Sequence, residues 1–387
     1  MDTKHRLTVI IDVNGAPLDA IDRTWASTAH FGPSATVLAA PLRETPLPSG
    51  LAVIREPFIG HLTSWRNRVL EHVTTDWVLW LYGGEHLDGA GAARMMRAVR
   101  SDGAVAYRLK ASDIPRSLER TRLFQWRREI RFGGRVRPHL GGPLAEFGYE
   151  RSDLDVFLRQ PDGVDASTIE SWIDHELLAL EDQDGIGDVA RAVWYWSLGR
   201  DRESRLLVKT LRREGQDNET LVGLEATQEM ERANPKEAVR ICQEYVSIHG
   251  ESRALWYLLG EALGRVGDHK TARMAYEVSM GDDPYPPWGE AGIGSYRSRL
   301  AWARAELRDG ATAQGVARLL RLLEQYPRFR PAWQWLLAAV DSPSAQQTVE
   351  ALGLLISPYQ MRQHFMALTT PTPEEQAIQD WYLGGKK

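Results

Sequence analysis

The sequence predicts an α/β domain followed by an all-α domain. Three observations lead to this prediction: strand and helix patterns alternate up to residue 150, strand signals fade beyond it, and a 34-residue helical repeat pattern covers residues 251–284. Alternating strands and helices are typical of a largely parallel sheet covered by helices. Repeats of this length are typical of stacked helical hairpins. We therefore predict an α/β domain at 1–150, a linker at 151–166 and a helical repeat domain at 167–387.

The elements of the first domain follow from short apolar runs and from apolar residues at helical spacing. We predict strands at residues 7–13, 35–40, 51–55, 76–83 and 104–109. The fourth strand is almost continuously apolar, as expected for a central strand that is covered on both faces. Helices are predicted after Pro17, at 61–73, and at 90–100 behind the capping residue Asp88. Ligands of such sheets bind beyond the carboxyl ends of the strands.

Composition and charge narrow the class of protein. The chain has 387 residues, of which 43% are hydrophobic and 26% charged, which is typical of a folded protein with two or three domains. The net charge of −5 gives no basic face for nucleic acid as the main partner. The single cysteine, Cys242, permits no intrachain disulfide, so we expect a cytoplasmic protein. No apolar window reaches the length of a membrane span.

Three segments resemble family 2 glycosyltransferases, which have the GT-A fold. The first is SWRNRVLEHVTTDWVLWLYGGEHL at 64–87, in which an Arg-Asn helix precedes Asp-Trp and an apolar strand. The second is RTRLFQWRREIRFGGRVRPHL at 120–140, and the third is the N-terminal strand and turn LTVIIDVNGAP. Together they span residues 7–140 in the order of the family. The resemblance implies a nucleotide-sugar donor held through a divalent metal such as Mg²⁺ or Mn²⁺.

The sequence departs from the family where the metal and donor would bind. The Asp-x-Asp that supplies the metal ligands corresponds to Tyr82, Gly83 and Gly84, and only the following Glu85 is retained. The second strand is followed by residues 39–42, which contain no acid. The family's His-Glu after Gly-Arg-Val is also missing, and His139 lies two positions late. We therefore assign no metal ligands and expect Mg²⁺ or Mn²⁺ only if catalysis survives.

The resemblance indicates two groups of candidate residues. Glu85 and His139 are the candidate catalytic residues. The candidate nucleotide-sugar site consists of Asp12, Asn14, Arg66, Asn67, Tyr82 and Gly84. Arg66 and Asn67 have an equally weighted alternative, in which Asn67 braces backbone and Arg66 pairs with a carboxylate. Asn14 precedes glycine, which is also an ordinary turn signal.

The repeat at 251–284 matches the tetratricopeptide pattern. Trp256 and Gly260 fall on its first helix, Gly267 at its turn and Tyr276 on its second helix. Less regular two-helix units follow the same outline at 193–213, 219–249 and 296–327, with a further helix at 331–340 and a capping helix in 371–387. Resemblance to such repeats implies a groove that binds a protein or a peptide.

Three functions agree with these observations. The first is a glycosyltransferase-like binding or assembly module whose donor and metal site is degenerate and whose repeats recruit a protein. The second is an active glycosyltransferase that transfers a sugar from a nucleotide sugar to a protein or peptide. The third is a helical adaptor to which the first domain adds only bulk. We favour the first, because loss of the metal carboxylates removes on the order of several kcal/mol of transition-state stabilisation.

Overall fold

The computed structural model confirms the predicted fold class. It describes residues 7–42, 44–101, 104–111, 120–135, 138–149, 151–159, 187–281, 286, 288–289, 292–340, 345–367 and 371–383. In these residues a mixed, mostly parallel sheet of 7 strands is followed by a region of α-helices. No described helix is both long and apolar enough to cross a membrane.

The sheet is built around two buried strands. Its strands are β1 (Leu7–Asp12), β2 (Ala35–Ala40), β3 (Ala52–Val53), β4 (Trp77–Tyr82), β5 (Ala106–Ala111), β6 (Arg120–Gln125) and β7 (Arg151–Leu158). Their order is β3-β2-β1-β4-β6-β5-β7, and β6 runs antiparallel to both of its neighbours. In the parallel pair β1 and β4, Asp12 lies opposite Tyr82, so both residues lie at the same edge of the sheet.

Helices connect the strands and then form hairpins. In the first part they are α1 (Leu18–Ser27), α2 (Leu62–Glu71), α3 (Gly89–Arg100) and α4 (Gly141–Glu146). Beyond the sheet follow α5 (Asp188–Ser197), α6 (Asp201–Arg213), α7 (Glu219–Glu231), α8 (Pro235–Ile248), α9 (Arg253–Val266), α10 (His269–Val278), α11 (Tyr296–Arg308), α12 (Thr312–Gln325), α13 (Arg330–Val340), α14 (Ala345–Leu355), α15 (Pro358–Ala367) and α16 (Pro373–Leu383).

The local signals for helix starts act as the sequence predicts. Pro17 immediately precedes α1. The Asp88 carboxylate accepts a 2.6 Å hydrogen bond from the Gly91 amide and caps α3. Such a side chain satisfies one of the amides that a helix start leaves without an intrahelical partner.

One segment differs from the prediction. Residues 151–158, expected to begin a linker, instead form strand β7, which pairs in parallel with β5. Two ion pairs join these strands: Arg108 to Asp153 at 2.6 Å and Lys110 to Asp155 at 2.8 Å. Residues 160–166 of the predicted linker, which include the segment 161–165, lie outside the described residues.

Contacts divide the chain into two compact units. The α/β unit comprises residues 1–143 and 150–204, and the helical unit comprises residues 144–149 and 205–387. Helix α5 therefore belongs to the α/β unit, where the Trp194 ring contacts Phe58 and the Trp196 ring contacts His61. The division differs from the simple boundary at 150, because both units are built from two stretches of chain.

From α7 to α13, each helix of the helical unit packs against the next one along the chain. In the hairpin α9–α10, Gly267 ends the first helix with a φ of +96°, and Asp268 caps the second by accepting a 3.0 Å bond from the Thr271 amide. Gly260 faces the Tyr276 ring so closely that an added Cβ would lie 2.6 Å from it. A small residue opposite a large one lets the two helices approach, as the repeat pattern requires.

Residues 144–149 contribute a buried aromatic side chain to the helical unit. The buried ring of Phe147 lies 5.1 Å from that of Tyr296 and 5.0 Å from that of Phe329. Glu146 accepts hydrogen bonds from Arg297 at 3.0 and 3.1 Å. These contacts explain why this short stretch clusters with helices far along the chain.

Candidate functional site

Asp12, Arg66 and Tyr82 form a buried group at the carboxyl ends of β1 and β4. The Arg66 guanidinium donates to the Asp12 carboxylate at 3.0 Å and to the Tyr82 hydroxyl at 3.1 Å. It also lies within 5.2–5.5 Å of the ring centroids of Trp80, Tyr82 and Phe132. Burial by itself would lower the pKa of Arg66, but the contacts with Tyr82 and Asp12 outweigh it and raise that pKa. The Arg66 guanidinium thus lies near three aromatic rings and pairs with the buried Asp12 carboxylate.

Glu85 takes part in a second buried ion pair beside the first. One of its carboxylate oxygens accepts a 2.8 Å bond from Arg122, and the other accepts a 2.9 Å bond from the Tyr82 amide. The Arg122 guanidinium lies 4.1 Å from the centroid of the Tyr82 ring. Tyr82 therefore contacts both arginines, and its ring and hydroxyl occupy a position that the resemblance assigns to a metal carboxylate.

Asn14 and Asn67 make bracing contacts with nearby backbone. The Asn67 side chain bonds to both the amide and the carbonyl of Phe132, at 2.8 and 3.0 Å. The Asn14 carbonyl oxygen accepts from the Leu42 amide at 2.6 Å, and its NH₂ group donates to the Asp12 carboxylate. Of the two roles left open for Arg66 and Asn67, the observed contacts match the pairing and bracing geometry.

Backbone geometry at 83 and 84 accounts for the two glycines. A Cβ added to Gly83 would lie 2.6 Å from the Cβ of Ala16, and the Gly83 amide donates to the Asp12 carbonyl at 2.8 Å. Gly84 has a φ of +97°, which strains residues that carry a side chain. Its amide donates to the Thr24 hydroxyl at 2.8 Å. An aspartate at either position would disturb this turn.

His139 lies in surroundings unlike those of Glu85. Its side chain is exposed, and its amide and carbonyl form a two-way 2.8 Å bridge with Gly133. Glu85 is buried in the ion-pair cluster. The two candidate catalytic residues thus differ in their access to solvent.

Arg122 is the site residue that sequence reasoning did not single out. It lies on β6 within the resembling segment 120–140, yet nothing in the pattern indicates a role for its side chain. The available signal was a charged residue beside the apolar pair Leu123 and Phe124, in a strand that pairs with the central strand β4. A charge in such a strand requires a buried counter-charge, and Glu85 is that partner.

A buried histidine, His61, immediately precedes α2. The His61 Nδ1 lies 2.9 Å from the Ser64 hydroxyl, and Thr63 donates to the Gly134 carbonyl at 2.6 Å. Burial lowers the pKa of His61 to about 4, and the nearby charge of Arg135 acts in the same direction against backbone hydrogen bonds. The imidazole is therefore neutral at physiological pH and is suited to packing against Trp196.

The residues present do not fit the divalent metal that the resemblance implies. Hard cations require several oxygen ligands, commonly carboxylates. Asp12 and Glu85 are the carboxylates at these strand ends, and each is bonded to a buried arginine. Within the described residues, no group of three or more His, Cys, Asp and Glu side chains is arranged to hold a metal ion.

Comparisons with known proteins give distant structural matches only. No protein-family model matches the sequence, and no curated protein matches it either. A chain from the structure of Naa15/Naa10 bound to HypK-THB has a TM-score of 0.33 and 16% identity, and the match covers 48% of this chain and 25% of that one. S. aureus TarS has a TM-score of 0.31 and 12% identity, with 70% and 55% covered.

A shorter form, S. aureus TarS 1–349 in complex with UDP-GlcNAc, has a TM-score of 0.34 and 11% identity. That match covers 79% of this chain and 88% of TarS 1–349. The chain thus spans 25% of the Naa15/Naa10 chain and 55% of the longer TarS chain. Matches with such low TM-scores assign neither the fold nor the function of this protein.

Proposed function

We propose that this protein is a binding or assembly module in which a glycosyltransferase-like α/β unit has lost its donor and metal site. The observation that carries the proposal is that Asp12 and Glu85 are both buried and both paired with buried arginines, Arg66 and Arg122. Binding a metal with either carboxylate requires breaking such a pair, which costs about 3–5 kcal/mol when the other charge stays buried. The helical unit then supplies the surface for a protein or peptide partner.

Tyr82 and the two glycines support the same conclusion. Tyr82 contacts both arginines, so it contributes to the closed cluster that replaces the family's acidic pair. Of the two positions that the resemblance assigns to metal carboxylates, the first carries the Tyr82 side chain, and the second is Gly84, whose φ of +97° strains an aspartate. Each charge in the cluster has a partner, so the cluster is suited to a structural role.

Titration calorimetry of the full chain tests the proposal. UDP-GlcNAc, the nucleotide sugar in the TarS complex, serves as the probe, with and without Mn²⁺. We expect no Mn²⁺-dependent heat of binding from the wild type. The variant Glu85→Gln keeps the shape of the side chain and an oxygen for the Tyr82 amide, and we expect it to behave identically in this assay.

An active glycosyltransferase gives the opposite result. The wild type would then hydrolyse or transfer the sugar of a nucleotide-sugar donor, and both Glu85→Gln and His139→Ala would abolish that activity. Metal-dependent turnover that is lost in these two variants would rule out the degenerate-site proposal. Equal turnover in the wild type and both variants would show that Glu85 and His139 are not the catalytic residues, and it would also contradict the degenerate-site proposal.

A further inference from the structure

Two arginines of the helical unit stack on one tryptophan. Arg304 and Arg308 lie one turn apart on α11, and their guanidinium carbons are 5.2 and 5.5 Å from the ring centroid of Trp335 on α13. Arg304 and Trp335 are half-buried, while Arg308 is exposed. Stacking on an aromatic face orients a guanidinium and leaves the N–H groups at its edge available to an acceptor.

Several other arginines of this unit are paired with carboxylates. Arg212 bonds to Glu225 at 3.2 Å, and Arg318 bonds to Glu306 at 2.8 Å. Arg297 pairs with Glu146 and Arg330 pairs with Glu375, each at 3.0 Å. No carboxylate lies within ion-pair distance of Arg304 or Arg308 in the described part of the chain. The charge of Arg304 acts on Tyr276, whose hydroxyl donates to Glu261 at 2.7 Å.

The acids closest to the two arginines in sequence are directed elsewhere. Glu306 lies between them in the chain, but both of its oxygens accept bonds from Arg318, at 2.8 and 2.9 Å. Asp309 pairs with Arg273 at 3.2 Å. The Nε atom of Arg304 is buried without an acceptor among the described residues. An unmet donor of this kind is costly.

The position of the pair agrees with a role in binding. Helices α9, α11 and α13 are the first helices of successive hairpins, and α11 contacts both of the others. In stacked hairpins, a row of equivalent helices forms the extended surface on which partners bind. The two arginines and Trp335 lie on two adjacent members of this row.

We propose that Arg304, Arg308 and Trp335 bind an extended acidic peptide segment of a partner protein, in which two acidic residues are separated by one residue. This inference rests on the proposed function of the helical unit. Four residues of α-helix rise about 6 Å, and alternate residues of an extended peptide lie about 6.8 Å apart. The two carboxylates can therefore each face one guanidinium, in the bidentate geometry that arginine favours.

A short peptide fits the charge of the whole chain better than a nucleic acid does. The net charge is −5, which repels a polyanion at long range. Two carboxylates on a peptide add little to this repulsion.

Fluorescence anisotropy on the full chain tests the inference. The probe is a short fluorescein-labelled Gly/Ser-rich peptide with a central Glu-Val-Glu, and the matched peptide has Gln-Val-Gln. We expect the first peptide to bind and the second not to bind. The variant Arg304→Gln/Arg308→Gln should weaken binding at least about tenfold, because charge-assisted hydrogen bonds are lost. Arg304→Lys/Arg308→Lys keeps the charge without the planar fork and should give an intermediate loss.

The matched control is Lys270→Gln/Arg321→Gln, which removes the same charge from exposed positions on the second helices α10 and α12. It should leave the affinity within about twofold, since isolated surface charges contribute little. An equal loss in the control would show that only net charge matters and would overturn the inference. A wild type that does not bind the peptide, or a double variant that binds it unchanged, would also overturn it.

Two further outcomes separate this inference from the proposed function. If short oligothymidylate bound more tightly than the peptide and depended on the same arginines, the ligand class would be wrong. If a protein partner bound the helical unit equally well in wild type and Arg304→Gln/Arg308→Gln, the proposed function would stand and the acidic-peptide site would not.

Discussion

At the scale of single residues, the α/β unit contains two buried ion pairs, Asp12 with Arg66 and Glu85 with Arg122. A surface pair such as Arg23 and Asp19 is screened by water and contributes little, whereas Asp12 and Arg66 are almost completely removed from solvent. In the buried case, the loss of one partner leaves an uncompensated charge in a low-dielectric interior. The same argument applies to Glu85 and Arg122.

We predict that Asp12→Ala lowers the free energy of unfolding by about 3–5 kcal/mol, because Arg66 remains buried without a counter-charge. Urea unfolding measures this. The control is Asp19→Ala, which removes an exposed partner of Arg23 and should change the free energy of unfolding by less than about 1 kcal/mol. Equal effects of the two substitutions would contradict the assignment of Asp12 as a buried structural charge.

His61 makes the α/β unit sensitive to mild acid. Its pKa is lowered to about 4, from an ordinary value of 6.5, chiefly by burial. Between these values the unfolded chain binds more protons, so stability is fully present above pH 6.5 and falls as the pH drops towards 4. We predict a loss of up to about 3 kcal/mol across this window.

Urea unfolding at a series of pH values checks this prediction. His61→Asn keeps a polar group near the Ser64 hydroxyl but does not titrate, so its stability should depend less steeply on pH than that of the wild type. The control His30→Asn changes an exposed histidine of the same unit and should leave the dependence unchanged. Parallel curves for His61→Asn and wild type would show that His61 is not the titrating group.

At the scale of elements, burial explains which strands the sequence reveals. Every residue of β4 is buried, so its composition is apolar and its prediction is straightforward. β7 pairs only with β5, and its first five residues alternate between exposed and half-buried. Its two aspartates pair with basic residues of β5. An edge strand with charged side chains resembles a linker in sequence, and only its partner identifies it as a strand.

Helix α9 contains two glycines with different environments, which gives a matched pair of substitutions. A Cβ at Gly260 would lie 2.6 Å from the Tyr276 ring, whereas one at Gly264 would make an ordinary 3.6 Å contact with the Tyr276 hydroxyl. We predict that Gly260→Ala destabilises by about 1–3 kcal/mol through overpacking. Gly264→Ala should stabilise by about 0.5–1 kcal/mol, because alanine is the better helix former.

Thermal unfolding of the two variants measures the difference. The predicted changes in melting temperature have opposite signs, so a shift of the same sign in both would refute the packing argument. The expected loss at Gly260 would confirm that the small residue is needed for the approach of α9 and α10, as in the tetratricopeptide pattern.

At the scale of the whole molecule, neither unit is one continuous stretch of chain. Residues 144–149 belong to the helical unit, although β7 of the α/β unit follows them directly. Helices α4 and α6 each cross from one unit to the other within their own length. A cut at residue 150 would therefore separate Phe147 from the helices it packs against.

We predict that Phe147→Ala destabilises the helical unit by about 3–5 kcal/mol, since it empties a buried aromatic site. Hydrogen exchange should show faster exchange in α11 and α13, with β1 and β4 unaffected. The control Phe157→Ala truncates a ring that is 48% exposed and should cost less than about 1 kcal/mol. Unchanged exchange in α11 and α13 would contradict the assignment of residues 144–149 to this unit.

The sequence by itself determined the fold class, the central strands, the helix after Asp88 and the hairpin of residues 253–278. These features depend on local patterns: apolar runs, helical spacing and capping residues. Such patterns can be recognised without knowledge of distant neighbours. The resemblance named Arg66 on helix α2. The sequence pattern placed Asp12, Tyr82 and Glu85 at one edge of the sheet, because strands β1 and β4 end there.

Only the tertiary structure decided what those residues do to one another. Arg122 is 37 positions from Glu85, and Arg66 is 54 positions from Asp12, so no local pattern contains either pair. The same holds for β7, whose partner strand lies 45 positions earlier, and for Phe147, whose ring partners Tyr296 and Phe329 lie beyond residue 290. Charge neutralisation and burial are properties of neighbours in space, and the order of the chain does not specify them.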